Sequence, residues 1–213
     1  MKAFDPDGFA LLATEDFTWR VKELSDLKQI IRLSGVSYAS VARKAALAMV
    51  YAHWEGYVVF VAWAYLTYIS KRKRTFSDLV PSLHAVSLAG HVQEWQKQRD
   101  TIRLRLKMID AFRAMDRSQF RKVPDNAVSA GGNLNFDRFS DICRVMMIDP
   151  ATIIVDHDFL DNEIVGIRNK IAHGGYIVIS DERLEKASQF VLSAMRAFRT
   201  DIENCVVNRS FLN

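Results

Sequence analysis

Six residues near the C-terminal end of the sequence, RNKIAH at positions 168–173, combine side chains suited to phosphate chemistry. Arg168 carries a permanent charge and a planar set of donors, which fits a phosphate and the extra negative charge that develops on it during cleavage. Histidine titrates near neutral pH, so His173 can take a proton from a ribose 2′-hydroxyl or give one to the leaving 5′-oxygen. The pair therefore predicts RNA cleavage by transesterification without a metal ion, which leaves a cyclic phosphate end.

The neighbours of this pair decide how much weight it carries. Asn169 can donate to a phosphate oxygen or orient the histidine, and the sequence leaves both roles open. Lys170 adds a cation for an RNA backbone. An arginine and a histidine five residues apart occur readily by chance, and the alternative is a structural arginine with a histidine that only ends a helix. The setting favours the functional interpretation, because the pair ends a capped helix and Gly174-Gly175 behind it lets another backbone approach.

The spacing within this segment predicts a second copy of the chain. Residues five apart on an α-helix are turned by roughly 140°, so Arg168 and His173 do not stack on one face. Two copies that meet across a two-fold axis would bring two arginines and two histidines to a shared cleft. Catalysis by this pair therefore implies a homodimer.

Other charged residues are candidates for supporting roles. His53 and Glu55 interrupt an apolar segment, where Glu55 either orients His173 or Arg168 or belongs to a buried polar pair that fixes helix packing. A stripe of Arg99, Arg103 and Lys107 suits an RNA backbone, as does the run at residues 71–74, although both also read as solvated helix surfaces.

No cofactor or metal is expected. Asp156, His157 and Asp158 are adjacent and therefore point in different directions, and helix capping already explains Asp158. Cys143 and Cys205 match no metal-ligand spacing and are too few for a disulfide framework, which favours a reducing compartment. The formal net charge of +4 in 213 residues permits a phosphate-bearing partner without requiring one.

The elements that must position these residues are predicted to be helical. Apolar residues recur at spacings of three and four, and only 4 prolines and 9 glycines interrupt them, which predicts an all-α bundle of five or six helices in a single domain, residues 1–213. The predicted helices cover residues 18–33, 38–70, 92–115 and 136–147, a fifth that starts at Asp158 and ends at Gly174, and a sixth that starts at Ser180. A long loop at residues 116–135 follows the third helix.

Two finer predictions concern the last two helices. Asp161 and Glu163 complement the positive end of the fifth helix. A brief extended stretch, Tyr176 to Ile179, leads to the sixth helix, whose predicted core face is Leu184, Val191, Met195, Phe198 and Ile202.

The segment at residues 45–69 is long and apolar enough to cross a bilayer and has basic residues on both sides. His53 and Glu55 lie near its middle, and an acidic residue there costs roughly 2.5 to 3.5 kcal/mol on insertion. Gly56 and the bulky aromatics suit a buried central helix instead. The N-terminus has neither a secretory nor a transit pattern, so we expect a cytoplasmic protein without membrane contact.

Three segments together resemble the HEPN superfamily (higher eukaryote and prokaryote nucleotide-binding). RNKIAHG resembles its Arg-x4-His signature, and YAHWEGYVVFVAWAYLTYI (51–69) and GGNLNFDRFSDICRVMMID (131–149) look like a prokaryotic branch found around toxin-antitoxin and phage-defence genes. The resemblance implies a dimeric, metal-independent endoribonuclease with Arg168 and His173 catalytic and Asn169 as the polar neighbour. It also implies an antitoxin or another operon-encoded protein as a partner.

The resemblance leaves two points open. Some relatives carry a tyrosine two residues after the histidine that a partner nucleotidyltransferase modifies, but here Gly175 has that place and Tyr176 follows it, so Tyr176 is only a candidate support. The competing function is a non-catalytic HEPN module that binds RNA, a nucleotide or a larger defence complex. The sequence names neither the RNA nor the inhibitor.

Overall fold

The computed structural model describes residues 5–97, 101–125 and 127–213, and every regular element in these ranges is helical. The α-helices are α1 (Pro6–Leu33), α2 (Gly35–Lys71), α3 (Pro81–Gln96), α4 (Ile102–Met115), α5 (Phe136–Met146), α6 (Pro150–Ile153), α7 (Ile167–Ala172) and α8 (Asp181–Asn208). A 3-10 turn covers Phe76–Asp78, and a π-helical segment covers Phe159–Gly166. The all-α prediction is confirmed. Eight α-helices in the described ranges exceed the predicted five or six, because α6 is one turn long and the predicted third helix is divided.

Helix α2 lies at the centre of the bundle, packed between α1 and α8. Leu47, Trp54 and Val61 are among its fully buried side chains. Within the described residues, the segment Ser37–Lys71 is the one stretch long and apolar enough to cross a membrane, and 56% of its most apolar window is buried inside the fold. Burial against α1 and α8 accounts for this composition.

Helix α1 starts twelve residues earlier than its predicted start at Thr18. The carboxylate of Asp5 accepts a hydrogen bond from the backbone N–H of Gly8 at 2.7 Å, and Pro6 occupies the first helical position, where its missing N–H costs nothing. Phe9 and Ala13 in the added turns are buried against the core.

The predicted helix at residues 92–115 is wrong. Thr101 has an extended backbone, and its hydroxyl accepts from the N–H of Leu104 at 3.2 Å, so α4 is a new helix that begins after it. Arg99 lies outside the described residues, while Arg103 and Lys107 are exposed on α4. Of the predicted stripe, the described part of the chain therefore shows only Arg103 and Lys107, both on α4. The outer face of α4 is apolar and exposed, at Ile102, Leu106, Ile109 and Phe112.

The helix that carries RNKIAH is capped by Asp156 and not, as predicted, by Asp158. The Asp156 carboxylate accepts from the N–H of Phe159 at 2.9 Å, whereas Asp158 makes no such bond. The π-helical segment follows and runs into α7. Asp161 accepts from the N–H of Phe136 at 2.8 Å, and Glu163 pairs with Arg183 at 2.7 Å. These two acidic residues therefore tie the motif helix to α5 and α8.

The end of the chain matches the sequence prediction closely. Gly174 has a φ of +72° and ends α7 in the left-handed conformation, and the Ser180 hydroxyl accepts from the N–H of Arg183 to begin α8. The predicted core face of the last helix is buried at all five positions: Leu184, Val191, Met195, Phe198 and Ile202. Helix α5 ends at Met146, because Met147 is itself left-handed.

His53 of α2 is buried, with its ring 5.5 Å from that of Trp19. Its Nε2 lies 3.1 Å from a carboxylate oxygen of Glu23, without hydrogen-bond geometry. Burial lowers the pKa of His53 below its ordinary value, a shift to which nearby Arg20 also contributes while Glu23 and Asp16 oppose it. The folded protein therefore favours the neutral imidazole.

The pKa shift of His53 predicts a loss of stability in mild acid. The unfolded chain takes up this proton as the pH falls through about 6.5, and the folded chain does not until a lower pH. We expect the free energy of unfolding to fall by up to about 1 kcal/mol between pH 7.5 and pH 5.5, and His53→Phe to remove that part of the decrease. Urea denaturation at both pH values measures it, and an equal decrease in wild type and variant would contradict the assignment.

Candidate functional site

The loop before α5 is held against α2 by the backbone of one residue, Leu134. Its N–H donates to the hydroxyl oxygen of Tyr51 at 2.7 Å, and its carbonyl accepts from the indole N–H of Trp54 at 3.1 Å. Both side chains come from α2, and the side chain of Leu134 is fully buried. The loop is thereby fixed in position relative to the centre of the bundle.

Two glycines turn this loop toward α7. Gly131 and Gly132 have φ values of +59° and +72°, a conformation that strains any residue with a Cβ. The turn presents the Gly132 carbonyl to α7, where it accepts a hydrogen bond from Nη2 of Arg168. The paired glycines are therefore needed for a contact to the predicted site.

Arg168 is held by groups from three directions. Its guanidinium carbon lies 3.8 Å from the ring centroid of Tyr51, its Nη2 donates to Gly132, and the same Nη2 lies 3.8 Å from a carboxylate oxygen of Glu55. The side chain is 19% exposed. Its Nε is buried and has no hydrogen-bond partner among the described residues. A buried donor without a partner costs about 1 to 3 kcal/mol, and such groups are characteristic of functional sites.

Glu55 and Tyr51 form a unit beneath the guanidinium. The Tyr51 hydroxyl donates to the Glu55 carboxylate while it accepts from Leu134. Burial and the bond to Glu55 raise the pKa of Tyr51 to about 12, so the phenol stays neutral at physiological pH. Glu55 therefore lies beside Arg168, where it can either orient that side chain or only fix the packing, so its supporting role stays a prediction.

Asn169 is engaged by the same loop. Its amide nitrogen donates to the side-chain oxygen of Asn133 at 3.1 Å, so in a single chain this amide is bound to the glycine loop. Lys170, the next residue, is exposed.

His173 is the C-terminal cap of α7, and its backbone N–H donates to the carbonyl of Asn169 at 3.0 Å. The residue is exposed, and within the described part of the chain only its backbone N–H forms a hydrogen bond. Arg168 is thus anchored inside the fold, whereas His173 projects from it. Among the described residues, no hydrogen bond joins the side chains of Arg168 and His173 within one chain.

A groove of about 670 Å³ opens beside Arg168 along α2. Its walls include Ala48, Ala52, Glu55, Gly56, Val59, Phe60, Gly132 and, from α1, Arg20. Arg20 is buried and paired with Asp16 at 2.6 Å, and a Cβ at position 56 would come within 2.8 Å of its guanidinium. Gly56 therefore leaves room for a second arginine at the groove.

Two predicted sets of residues lie elsewhere. Arg103 and Lys107 are on α4, no described residue of which lines this groove, so their role in RNA binding stays a prediction. Asp156 caps a helix, and in the described ranges no three His, Cys, Asp or Glu side chains are grouped closely enough to hold a metal ion.

The sequence analysis did not identify Tyr51, Trp54, Gly132 or Asn133 as part of the site. Apolar periodicity assigns Tyr51 and Trp54 to the core, where their rings do lie, and it says nothing of the polar atom that each carries. A signal was present, since the four residues fall inside the YAHWEG and GGNLN segments on which the resemblance rests.

Comparison with known proteins identifies a family. A family model described as HEPN_MAE_28990:/-like HEPN matches residues 11–211. No curated protein and no solved structure matches the chain. The matched range includes α2, the glycine loop and α7.

The contact between Tyr51 and Leu134 predicts the effect of removing one oxygen atom. Tyr51→Phe keeps the ring beneath Arg168 but leaves the buried N–H of Leu134 without an acceptor, so the free energy of unfolding should fall by about 1 to 3 kcal/mol. Urea denaturation measures the change, and Tyr38→Phe, at an exposed tyrosine, is the matched control. Equal stability of both variants would show that the hydroxyl does not hold the loop.

Proposed function

This chain belongs to the HEPN_MAE_28990:/-like HEPN family, and from that membership and the geometry at Arg168 we propose that it is a metal-independent endoribonuclease that works as a homodimer. The observation that carries the proposal is the way in which the Arg168 side chain is held. Its guanidinium is preorganised on Tyr51, Glu55 and Gly132 at the edge of an open groove, five residues before an exposed histidine.

The proposed reaction needs two proton transfers. The ribose 2′-oxygen attacks the adjacent phosphorus and gives its proton to a base, the bond from phosphorus to the 5′-oxygen breaks, and an acid protonates the leaving oxygen. The products are a 2′,3′-cyclic phosphate and a 5′-hydroxyl. His173 of one chain serves as the base and His173 of the second chain as the acid, while Arg168 stabilises the charge on the phosphoryl oxygens.

A second copy is the partner that this arrangement requires, because one chain supplies only one such histidine. The outer face of α2 beside Arg168 suits it. Small residues, Ala48, Ala52 and Gly56, follow one another at four-residue spacing, and Phe60 and Trp63 continue the face with exposed rings. Small side chains allow two helices to approach closely, and the aromatic rings supply apolar area to bury. Docking there brings the second chain to the groove that Arg168 borders.

The biological setting follows the resemblance of the motif segments to defence-associated HEPN proteins. We infer a cytoplasmic effector that restricts growth by cutting RNA and is restrained by an operon-encoded partner. Expression in a bacterial host, with growth as the readout, tests this setting separately from the chemistry.

Loss of either motif residue should abolish cleavage. With total RNA in EDTA, Arg168→Ala and His173→Ala should each lower the cleavage rate by at least about a hundred-fold. Arg168→Lys should also fall, since lysine keeps the charge but loses the planar donor set. Arg144→Ala and His157→Ala, at exposed residues of the same types, are the matched controls. Cleavage by both motif variants at the wild-type rate would refute the proposal.

Mixing wild-type and His173→Ala chains tests the composite site. If both histidines are needed, an equal, exchanged mixture should keep about a quarter of the activity of wild type at the same total concentration, because about a quarter of the dimers then hold two copies of His173. About half of the wild-type activity, with exchange confirmed by mass spectrometry, would mean that each chain acts independently of the other.

The proposed dimer face has its own test. Ala52→Glu places a charge on the exposed stripe of α2 and should convert dimers into monomers and reduce cleavage, because an unpaired charge is costly to bury. Sedimentation velocity measures the oligomeric state, and Val207→Glu, at an exposed position of α8, is the control. A dimer unaffected by Ala52→Glu would place the interface elsewhere.

A second candidate is the non-catalytic HEPN module. One observation favours it, since Arg168 is already satisfied in part by Gly132 and Glu55, as a purely structural arginine would be. In that case the protein would not cleave any RNA tested, and Arg168→Ala would lower stability alone.

A further inference from the structure

Tyr176 lies three residues beyond His173 in a short non-helical segment. Within this segment Ile177 and Ile179 face the core while Tyr176 and Val178 face solvent, the alternation of an extended chain. The two isoleucines thus anchor the backbone, and Tyr176 is left 92% exposed. A single exposed aromatic ring is ordinary, so its surroundings must decide whether it has a role.

The surroundings of Tyr176 are cationic. The ammonium group of Lys44 lies over the Tyr176 ring, 5.7 Å from its centroid, and the exposure of the ring leaves its other face open to solvent. Lys44 precedes Tyr51 by seven residues and Glu55 by eleven, a spacing that places all three on one side of α2. At 1.5 Å per residue, Lys44 lies about 10 Å along the helix from the residue beneath Arg168.

These positions give an order along one edge of α2. Arg168 contacts Tyr51, and Tyr176 contacts Lys44, nearer the start of the helix. In the chain, His173 comes between Arg168 and Tyr176. A strand bound at Arg168 and followed along this edge toward Lys44 reaches the Tyr176 ring.

We propose that Tyr176 and Lys44 form a substrate subsite, in which the ring stacks on an unpaired RNA base and the ammonium group binds a neighbouring phosphate. This inference rests on the proposed function and adds a substrate class to it. A stacking ring accepts any base but only one that is free of its neighbours, so the subsite selects single-stranded RNA over duplex.

The pairing of ring and cation favours a nucleotide over a protein contact. An aromatic patch that docks on another protein would bury the Lys44 ammonium group next to it, which is costly without an acidic partner. A nucleotide presents a flat aromatic base and a phosphate together, and so it meets both groups without that cost.

Binding without cleavage tests the subsite directly. In the His173→Ala background, anisotropy of a 5′-fluorescein-labelled 12-nucleotide single-stranded RNA should show Tyr176→Ala weakening binding by about five-fold to a hundred-fold. Tyr176→Phe and Tyr176→Trp should stay within about two-fold of the tyrosine, because both keep a stacking face. Phe112→Ala, at an exposed aromatic residue of α4, is the matched control and should bind as the parent does.

Salt dependence separates the two parts of the subsite. Lys44→Ala should reduce the slope of log affinity against log salt by about 0.7, the loss of one phosphate contact on a single strand, whereas Tyr176→Ala should leave the slope unchanged. Lys22→Ala, at an exposed lysine of α1, is the control. A duplex of the same sequence should bind with no dependence on residue 176.

Several outcomes would overturn the subsite. One is that Tyr176→Ala binds single-stranded RNA as tightly as the His173→Ala parent does, and another is that Tyr176→Phe loses as much affinity as Tyr176→Ala. A third is that Tyr176→Ala converts the dimer into monomers, which would assign the ring to a protein interface. Failure of the proposed function alone would give a distinct result. The His173→Ala protein would then bind single-stranded RNA through Tyr176, while the wild-type protein would cleave no RNA. No binding of any RNA at low salt would refute both.

Discussion

The site depends on two hydrogen bonds that join Leu134 to α2. Tyr51 and Trp54 each insert a ring into the core and use the one polar atom of that ring to satisfy the Leu134 backbone. Buried backbone groups must be paired, so these bonds determine where the loop can lie. The position of Gly132 follows from this, and the position of Arg168 follows from Gly132, Tyr51 and Glu55. The core of the bundle and the polar site are therefore built from the same side chains.

The groove holds two arginine side chains firmly and still presents positive charge. Arg168 and Arg20 both approach the groove, and the nearest acidic groups, Glu55 and Asp16, are each placed against one of them. The contact at Glu55 is 3.8 Å, longer than the 2.6 Å contact at Asp16, so Arg168 is the less tightly neutralised of the two. An arginine held mainly by an aromatic face and a carbonyl has no close carboxylate to neutralise its charge, so it attracts an incoming anion more strongly than an arginine paired with a carboxylate does.

The two motif residues lie at opposite ends of the short helix α7 and have different surroundings. Its first turn is enclosed by α2 and the glycine loop, while His173, the cap that follows its last residue, is exposed. An anchored guanidinium group and an exposed imidazole suit a site that is completed only when a further molecule binds. In the proposed dimer that molecule is a second copy, and the strand of RNA then passes along the α2 edge toward Tyr176.

Much of this could be predicted from the sequence alone. The all-α class, the buried central helix, the left-handed Gly174, the core face of α8 and the family follow from periodicity, turn residues and motif, all of which are local in the chain. The errors were also local in kind. Asp5-Pro6, Thr101 and Asp156 are the caps that set helix bounds, and the sequence analysis assigned none of them as the start of a helix.

What the tertiary structure decided is which polar atoms meet across long chain separations. Tyr51 pairs with a loop 83 residues away, and Asn169 pairs with a residue 36 positions earlier. No periodicity encodes such contacts, because they result from how α1, α8 and the loop pack around α2. The sequence therefore identified Arg168 and His173 as residues whose side chains suit phosphate chemistry. Only the packed structure showed that Arg168 is held by contacts within the fold, whereas His173 is exposed.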